Sequence, residues 1–320
     1  MLVPEFKGYD FFPHHVRLKF MRYKELCFGL SVVAMLGSLL LFFTMGLNYG
    51  VDFKGGSLIE VRSTSGPADV SALRTKLGGL GLGSVQIQGL GEPTDVLIRI
   101  EQQPGGEAVQ QVALKKVIDE LGAGFQQRRV EVVGPAVSSE LRTTGVIAVI
   151  AAVIAIICYV WFRFEWQFAL GTVVALTHDV LLTVGIFSLF QLEFDLSIVA
   201  ALLTILGYSV NDTVVVSDRI RENLRKYKKM ELNELLDLSI NETLSRTILT
   251  GVTTLVVLVA LTLFGGEVIR NFSLAMLLGI IIGTYSSIFI AAPLLGFLGV
   301  KRDWSGEAAA KPGAAAAAKG

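Results

Sequence analysis

TTGVIAVIAAVIAIICYVWF (143–162) is an uncharged run, of the length, about 20 residues, that an α-helix needs to cross a hydrocarbon core about 30 Å thick. Similar stretches recur. CFGLSVVAMLGSLLLFFTMGL comes first at 26–46, and the others run about 168–190, 197–217, 245–264 and 273–297. Composition agrees with six spans. Of 320 residues, 52% are hydrophobic and only 18% charged, against roughly 25% charged in soluble domains. A soluble fold has no core large enough to hide that much apolar surface, whereas a bilayer does. The 26–46 stretch follows a long N-terminal segment and lacks a small-residue cleavage pattern, so it reads as a retained anchor rather than a removed signal.

Lysine and arginine placement orients the spans. Lys7, Arg17, Lys19, Arg22 and Lys24 precede the first. Arg219, Arg221, Arg225, Lys226, Lys228 and Lys229 fill the connection between the fourth and fifth, and Lys301 and Arg302 follow the sixth. QLEFDLS (191–197) has none, and GGEVIRN (265–271) has one. The expected layout is a cytoplasmic N-terminal segment 1–25, a first helix 26–46, a periplasmic region 47–141 and a five-helix region 142–298. Its cytoplasmic loop is 218–243, and a disordered cytoplasmic tail occupies 299–320. Tyr49, Trp161, Trp166 and Trp304 suit interface belts. In the loop, Leu232, Leu235, Leu236 and Ile240 predict an amphipathic helix on the membrane face, with a solvated connector as the alternative.

Residues about 57–134 read as a compact domain. SLIEVRS (57–63) alternates like a half-buried strand, and Pro67 opens a helix that ends in glycines near 81. SVQIQGL (84–90) and DVLIRIEQ (95–102) are strands joined by the turn GEPT. GEAVQQVALKKVIDELG (106–122) is a helix and RRVEVVG (128–134) a last strand. The order βαββαβ predicts a ferredoxin-like α+β domain. The glycines at 78–83 follow a helix, not a strand, so they do not predict a phosphate loop. Net charge is zero, and nothing points to nucleic acid. Cys27 and Cys158 have no partner at redox or metal spacing and read as packing thiols.

Ionisable groups inside a bilayer cost about 2.5–3.5 kcal/mol each at the centre and mark function. The third span contains His178 and Asp179. The fourth contains Asn211 and Asp212, with Tyr208 and Ser209 one turn earlier, and the fifth begins near Arg246. Spans four and five share one loop and run antiparallel, so Asp212 and Arg246 are expected to meet at similar depth. Thr243, Thr247, Thr250 and Thr254 share a helical face, readable as a hydrated path or as interhelical hydrogen bonding. His178 and Asp179 stand open between a relay and packing hydrogen bonds. No third ligand suggests a metal site. In the sixth span Ala275, Gly279, Gly283 and Ser287 form a small-residue stripe, read as close packing.

Several strings share one family pattern: LNYGVDFKGG (47–56), ALTHDV (175–180), GYSVNDTVVVSDRIREN (207–223), ETLSRTILT (242–250) and GTYSSIFIAAP (283–293). Together they resemble the SecD/SecF family of protein-export membrane proteins, on the side of the smaller subunit. The resemblance covers all but the tail. It implies a bacterial inner-membrane protein related to proton-driven efflux pumps, which uses the proton-motive force to assist preprotein translocation. It implies Asp212 as the protonatable aspartate and Arg246 as its arginine, with Gly50, Asp52, Phe53, Gly55 and Gly56 in a family loop. It implies the partner SecD, which carries a further essential aspartate. The Sec translocon channel, other translocase accessory proteins, unfolded preprotein and lipid are the remaining partners. No cofactor beyond protons is implied, and no nucleophile–base arrangement suggests an enzyme. The competing readings are a purely structural translocase subunit and a small-molecule efflux component, for which an insertion of this size is small.

Overall fold

The computed structural model describes residues 18–83, 85–265 and 267–300. Lys7, Arg17 and the tail with Lys301, Arg302 and Trp304 lie outside the described residues, as do Ser84 and Gly266. A single 3-10 turn (Phe20–Tyr23) leads into α1 (Lys24–Met45). A two-residue strand β1 (Asn48–Tyr49) and a short turn of helix α2 (Val51–Lys54) connect it to the inserted domain. There β2 (Gly56–Ser63), α3 (Val70–Gly78), β3 (Val85–Leu90), β4 (Glu92–Glu101), α4 (Glu107–Leu121) and β5 (Phe125–Val133) follow in order.

The four long strands form one antiparallel sheet, ordered β3-β4-β2-β5. Ile59, Val61, Ile98 and Ile100 of its central strands meet Leu73, Leu77, Leu114 and Val117 of the two helices in one core. Two local expectations change. The first helix starts at Val70 rather than Pro67, because Asp69 Oδ1 accepts from the N–H groups of Ser71 and Ala72 at 2.9 and 3.0 Å. That satisfies two otherwise unpaired donors of the helix start. The reversal between β3 and β4 needs only Gly91, at φ 60°. Glu92, Pro93 and Thr94, expected as turn, therefore open β4.

The remaining helices are α5 (Pro135–Arg163), α6 (Trp166–Leu189), α7 (Leu196–Lys226), α8 (Leu232–Phe264) and α9 (Glu267–Ser286). A π turn (Ser287–Ala291) and α10 (Ala292–Phe297) continue α9. Between α6 and α7 lies β6 (Glu193–Phe194), paired in parallel with β1. Among the described residues six spans are long and apolar enough to cross a membrane, making this a multi-pass membrane protein. In the apolar windows of α6, α7 and the sixth span, 50%, 50% and 56% of residues are buried, against 6%, 11% and 17% in α1, α5 and α8. The first three are therefore the inner helices, and they carry most of the buried polar residues of the spans, the buried carboxyls Asp179 and Asp212 among them. The outer helices present Leu30, Phe43, Ile150, Ile154, Val256 and Phe264 outward, as a lipid-facing surface does. Cys158 is likewise exposed on α5 and is no packing thiol.

Small residues set the inner spacing. A Cβ on Gly185 would clash with Ser38 of α1, and one on Gly279 would clash with Ile205 of α7. Such close approaches give helices dispersion contacts where no hydrophobic force drives them together.

The connection between α7 and α8 differs from expectation. It is only Tyr227–Glu231, because both helices run on beyond their apolar stretches. Leu232 and the buried Leu235, Leu236 and Ile240 belong to the start of α8 and cluster with Val216, Ile220 and Leu224 of α7. The apolar spacing is that of an amphipathic helix, but its face meets protein rather than a membrane surface. No Gly or Pro interrupts 232–250, so nothing separates this helix from the span.

Arg62 and Asp95 pair directly across β2 and β4, with Nε and Nη2 donating at 2.5 and 2.6 Å. This fork holds the Asp95 carboxyl below the usual carboxylate range. A lowered carboxyl contributes stability above its unfolded value and loses it as pH falls through its folded value. Asp95→Asn is expected to weaken the sheet at neutral pH and remove this acid-sensitive component, read as the pH dependence of β2 and β4 amide exchange in the intact chain. Gly279→Leu overpacks the α7–α9 seam and is expected to cost about 1–3 kcal/mol, read as a lowered thermal midpoint in detergent.

Candidate functional site

One face of α7 buries Ile205, Ser209, Asp212, Thr213 and Val216, at helical spacing. Asp212 is 8% exposed. Thr247 Oγ1 of α8 donates to its Oδ1 at 2.6 Å, and Ser287 Oγ of the sixth span donates to Oδ2 at 2.5 Å. Arg246 forms no ion pair with it. Neighbours on a helix point about 100° apart, so with Thr247 turned inward Arg246 stands exposed on the outer face. It is near enough for its charge to act on Asp212. The expected contact is thus made by the next residue. The rest of the threonine stripe turns back on its own helix. Thr243 bonds the Ser239 carbonyl at 3.1 Å, the exposed Thr250 that of Arg246 at 3.0 Å, and Thr254 that of Thr250 at 2.8 Å. Asn211 is exposed and outside the cluster.

A second carboxyl lies in the same seam. His178 and Asp179 are fully buried, and His178 Nδ1 is 2.9 Å from Asp179 Oδ1. Asp179 Oδ2 accepts from Ser209 Oγ at 2.5 Å and from Ser286 Oγ at 2.9 Å. The His178 ring stacks on Tyr285, with centroids 5.9 Å apart. Ser286 and Ser287 stand where α9 passes into its π turn, a device frequent at functional sites. These serines are the residues that sequence reasoning missed. Ser287 was placed in a packing stripe, and the adjoining pair in an apolar span was the available signal. Among the described residues no three of His, Cys, Asp and Glu gather as a metal-holding group.

The family loop 47–56 is a junction. Gly50 N–H donates to the Phe194 carbonyl at 2.9 Å, and Asn48 Nδ2 to that of Gln191 at 3.0 Å. Asp52 Oδ2 accepts from Leu196 N–H, the first residue of α7, at 2.9 Å. Phe53 is buried with Phe187 and Phe194, and Arg142 of α5 donates to its carbonyl at 3.1 Å. A side chain at Gly50 would meet Glu193 Oε1 at 2.8 Å, and one at Gly56, where φ is 121°, would strike the Ile100 carbonyl. Arg99 of β4 pairs with Glu193 of β6. Burial pushes the Glu193 carboxyl above its ordinary value, outweighing the pull of Arg99. The loop therefore binds the root of the inserted domain to the beginning of the Asp212 helix.

Residues 113–301 match the protein export membrane protein SecD/SecF C-terminal family, and residues 40–66 match the SecD/SecF GG motif. The chain is 47% identical over 317 residues to the protein translocase subunit SecF of Rhodobacter capsulatus, covering 94% of this chain and 92% of that one. It is 46% identical over 289 residues to the protein translocase subunit SecDF of Brucella abortus, covering 90% of this chain and 38% of that one. It is also similar to the crystal structure of SecDF, a translocon-associated membrane protein from Thermus thermophilus. There the TM-score is 0.80 at 34% identity, over 90% of this chain and 39% of that one. The chain thus spans most of a separate SecF subunit and about two fifths of a fused SecDF, and it belongs to the SecD/SecF family of protein-export membrane proteins as a SecF-type translocase subunit.

Proposed function

We propose that this subunit works with SecD to convert proton movement into assistance for preproteins crossing the inner membrane. One observation carries the reading. Asp212 is buried at membrane depth with two neutral hydroxyls as its partners and no ion pair to neutralise it. A carboxylate desolvated without a bonded cation is poised to take a proton. Arg246 and Asn211, each exposed and next in sequence to a residue of the Asp212 cluster, are polar groups that lipid does not suit. A SecD partner there covers both and completes the proton path. The share of fused SecDF chains that this chain leaves unmatched supports that partner.

The 48–56 junction supports a route from proton to motion. When Asp212 changes charge, α7 shifts against α8 and the sixth span. Its first turn, bonded to Asp52 and directly preceded by β6, which pairs with β1, carries that shift to the inserted domain. The charge distribution supports cytoplasmic termini and a periplasmic, ferredoxin-like domain facing unfolded preprotein as it leaves the Sec channel. Other translocase proteins and lipid complete the surroundings. The function asks for no cofactor beyond protons and no covalent chemistry, and the subunit is not an enzyme. One charge crossing 100 mV supplies about 2.3 kcal/mol, a bias of about fifty-fold between two states.

Preprotein transport into inner-membrane vesicles, with ATP and with or without an imposed potential, tests the proposal. Asp212→Asn is expected to retain ATP-driven transport and lose the potential-dependent stimulation. Arg246→Met is expected to do the same while the complex with SecD still assembles. Unchanged stimulation in Asp212→Asn rules the proton role out. Unchanged stimulation in Arg246→Met favours a purely structural subunit.

A further inference from the structure

α6 brings into the bundle a titratable pair that the reading of Asp212 does not use. His178 and Asp179 are both 0% exposed. The groups bonded to the Asp179 side chain are an imidazole and two hydroxyls, one from α7 and one from α9. The titratable side chain in contact with the pair from a neighbouring helix is Tyr285 of α9, stacked on the imidazole, whose hydroxyl donates to the Cys27 carbonyl of α1 at 3.0 Å. Tyr208 of α7 places its hydroxyl against Gly251 instead. Asp179 has no ion pair with lysine or arginine. His178 Nε2 is buried and has no hydrogen-bond partner.

Counting charge gives the pair its character. With a neutral imidazole and an ionised carboxylate it carries a net −1, buried without a cation. One added proton, on either partner, makes it net neutral. Packing alone is served by an amide and hydroxyls and does not call for an imidazole with an unbonded nitrogen. The pair's hydroxyl shell adjoins that of Asp212 in the chain. Ser286 holds Asp179 and the next residue, Ser287, holds Asp212.

We propose that His178 and Asp179 form a second proton-holding site, linked to the hydroxyl shell of Asp212 through the adjoining Ser286 and Ser287. In the loading step a proton from the aqueous phase forms one O–H or N–H bond and the pair goes from −1 to 0. In the release step that bond breaks and the proton returns to water. No other bond changes. The inference rests on the proton-driven reading of Asp212.

Asp179→Asn tests it, in the complex with SecD and in the same vesicle assay normalised to assembled complex. The amide keeps the size, keeps an acceptor for Ser209 and Ser286, and donates to His178, but takes up no proton. The expected result is an about tenfold loss of potential-dependent stimulation, with the pH of half-stimulation moved by about one unit. His178→Gln is expected to move the pH profile as well. Wild-type stimulation and profile in Asp179→Asn, beside loss of stimulation in Asp212→Asn, overturns this inference and leaves the proton reading intact. Stimulation retained in Asp212→Asn overturns the proton reading itself. Should Asp179→Asn not assemble, Ser286→Ala, which removes one hydroxyl from the shared seam, is expected to shift the profile. An unshifted profile overturns the link.

Discussion

A carboxyl group carried into a bilayer must be bonded, neutralised or both, because the hydrocarbon offers it nothing. The packed helices meet that demand with hydroxyls. Thr247 and Ser287 satisfy Asp212, while Ser209, Ser286 and His178 satisfy Asp179. Such a shell requires helices in very close contact. Gly283 shows the margin: a Cβ there would stand 3.2 Å from the Ser209 Cβ and 3.5 Å from Asp179 Oδ2. With Gly279 against Ile205, the small-residue stripe of the sixth span is what lets Ser286 and Ser287 reach two carboxyls on two other helices. The packing stripe and the polar cluster are one construction.

The same helix that bears Asp212 begins at the root of the inserted domain. Asp52 accepts from its first N–H, β1 and β6 join the two connections, and Arg99 reaches from the sheet to Glu193. Glycine is required at Gly50 and Gly56 because backbone and side chains from distant segments come too near for a Cβ. Proton uptake in the membrane and motion outside it are, in the proposed mechanism, two ends of α7. The junction is then the transmission rather than a linker, which accounts for so many of its groups being bonded to the connection between α6 and α7, to the start of α7 and to α5.

Much of this was readable in advance. Apolar runs of span length located six helices, since hydrocarbon thickness imposes a length on them, and the strand and helix order of the insertion followed from periodicity. Element ends were less legible. Asp69 rather than Pro67 begins α3, and Gly91 alone turns the chain, because capping and a left-handed backbone act through single residues. Leu232, Leu235, Leu236 and Ile240 were correctly a helical face, yet spacing names a face and not what covers it. The Arg246 expectation failed by one residue, a rotation of about 100° on the helix. Depth can be read from a chain; azimuth depends on which neighbour packs where.

What the amino-acid sequence determined by itself is therefore the kind of molecule: a six-span membrane subunit with one inserted α+β domain, with ionisable residues in the third and fourth spans and the family strings that contain them. These follow from local composition and order, which need no partner. Only the tertiary structure decided that Asp212 is held by Thr247 and Ser287 rather than paired with Arg246, that Asp179 shares its seam, and that Asp52 is bonded to the start of α7. Each of those contacts joins segments far apart in the chain. Their geometry is set by how closely glycine and serine let helices approach, and that distance exists only once the helices are packed.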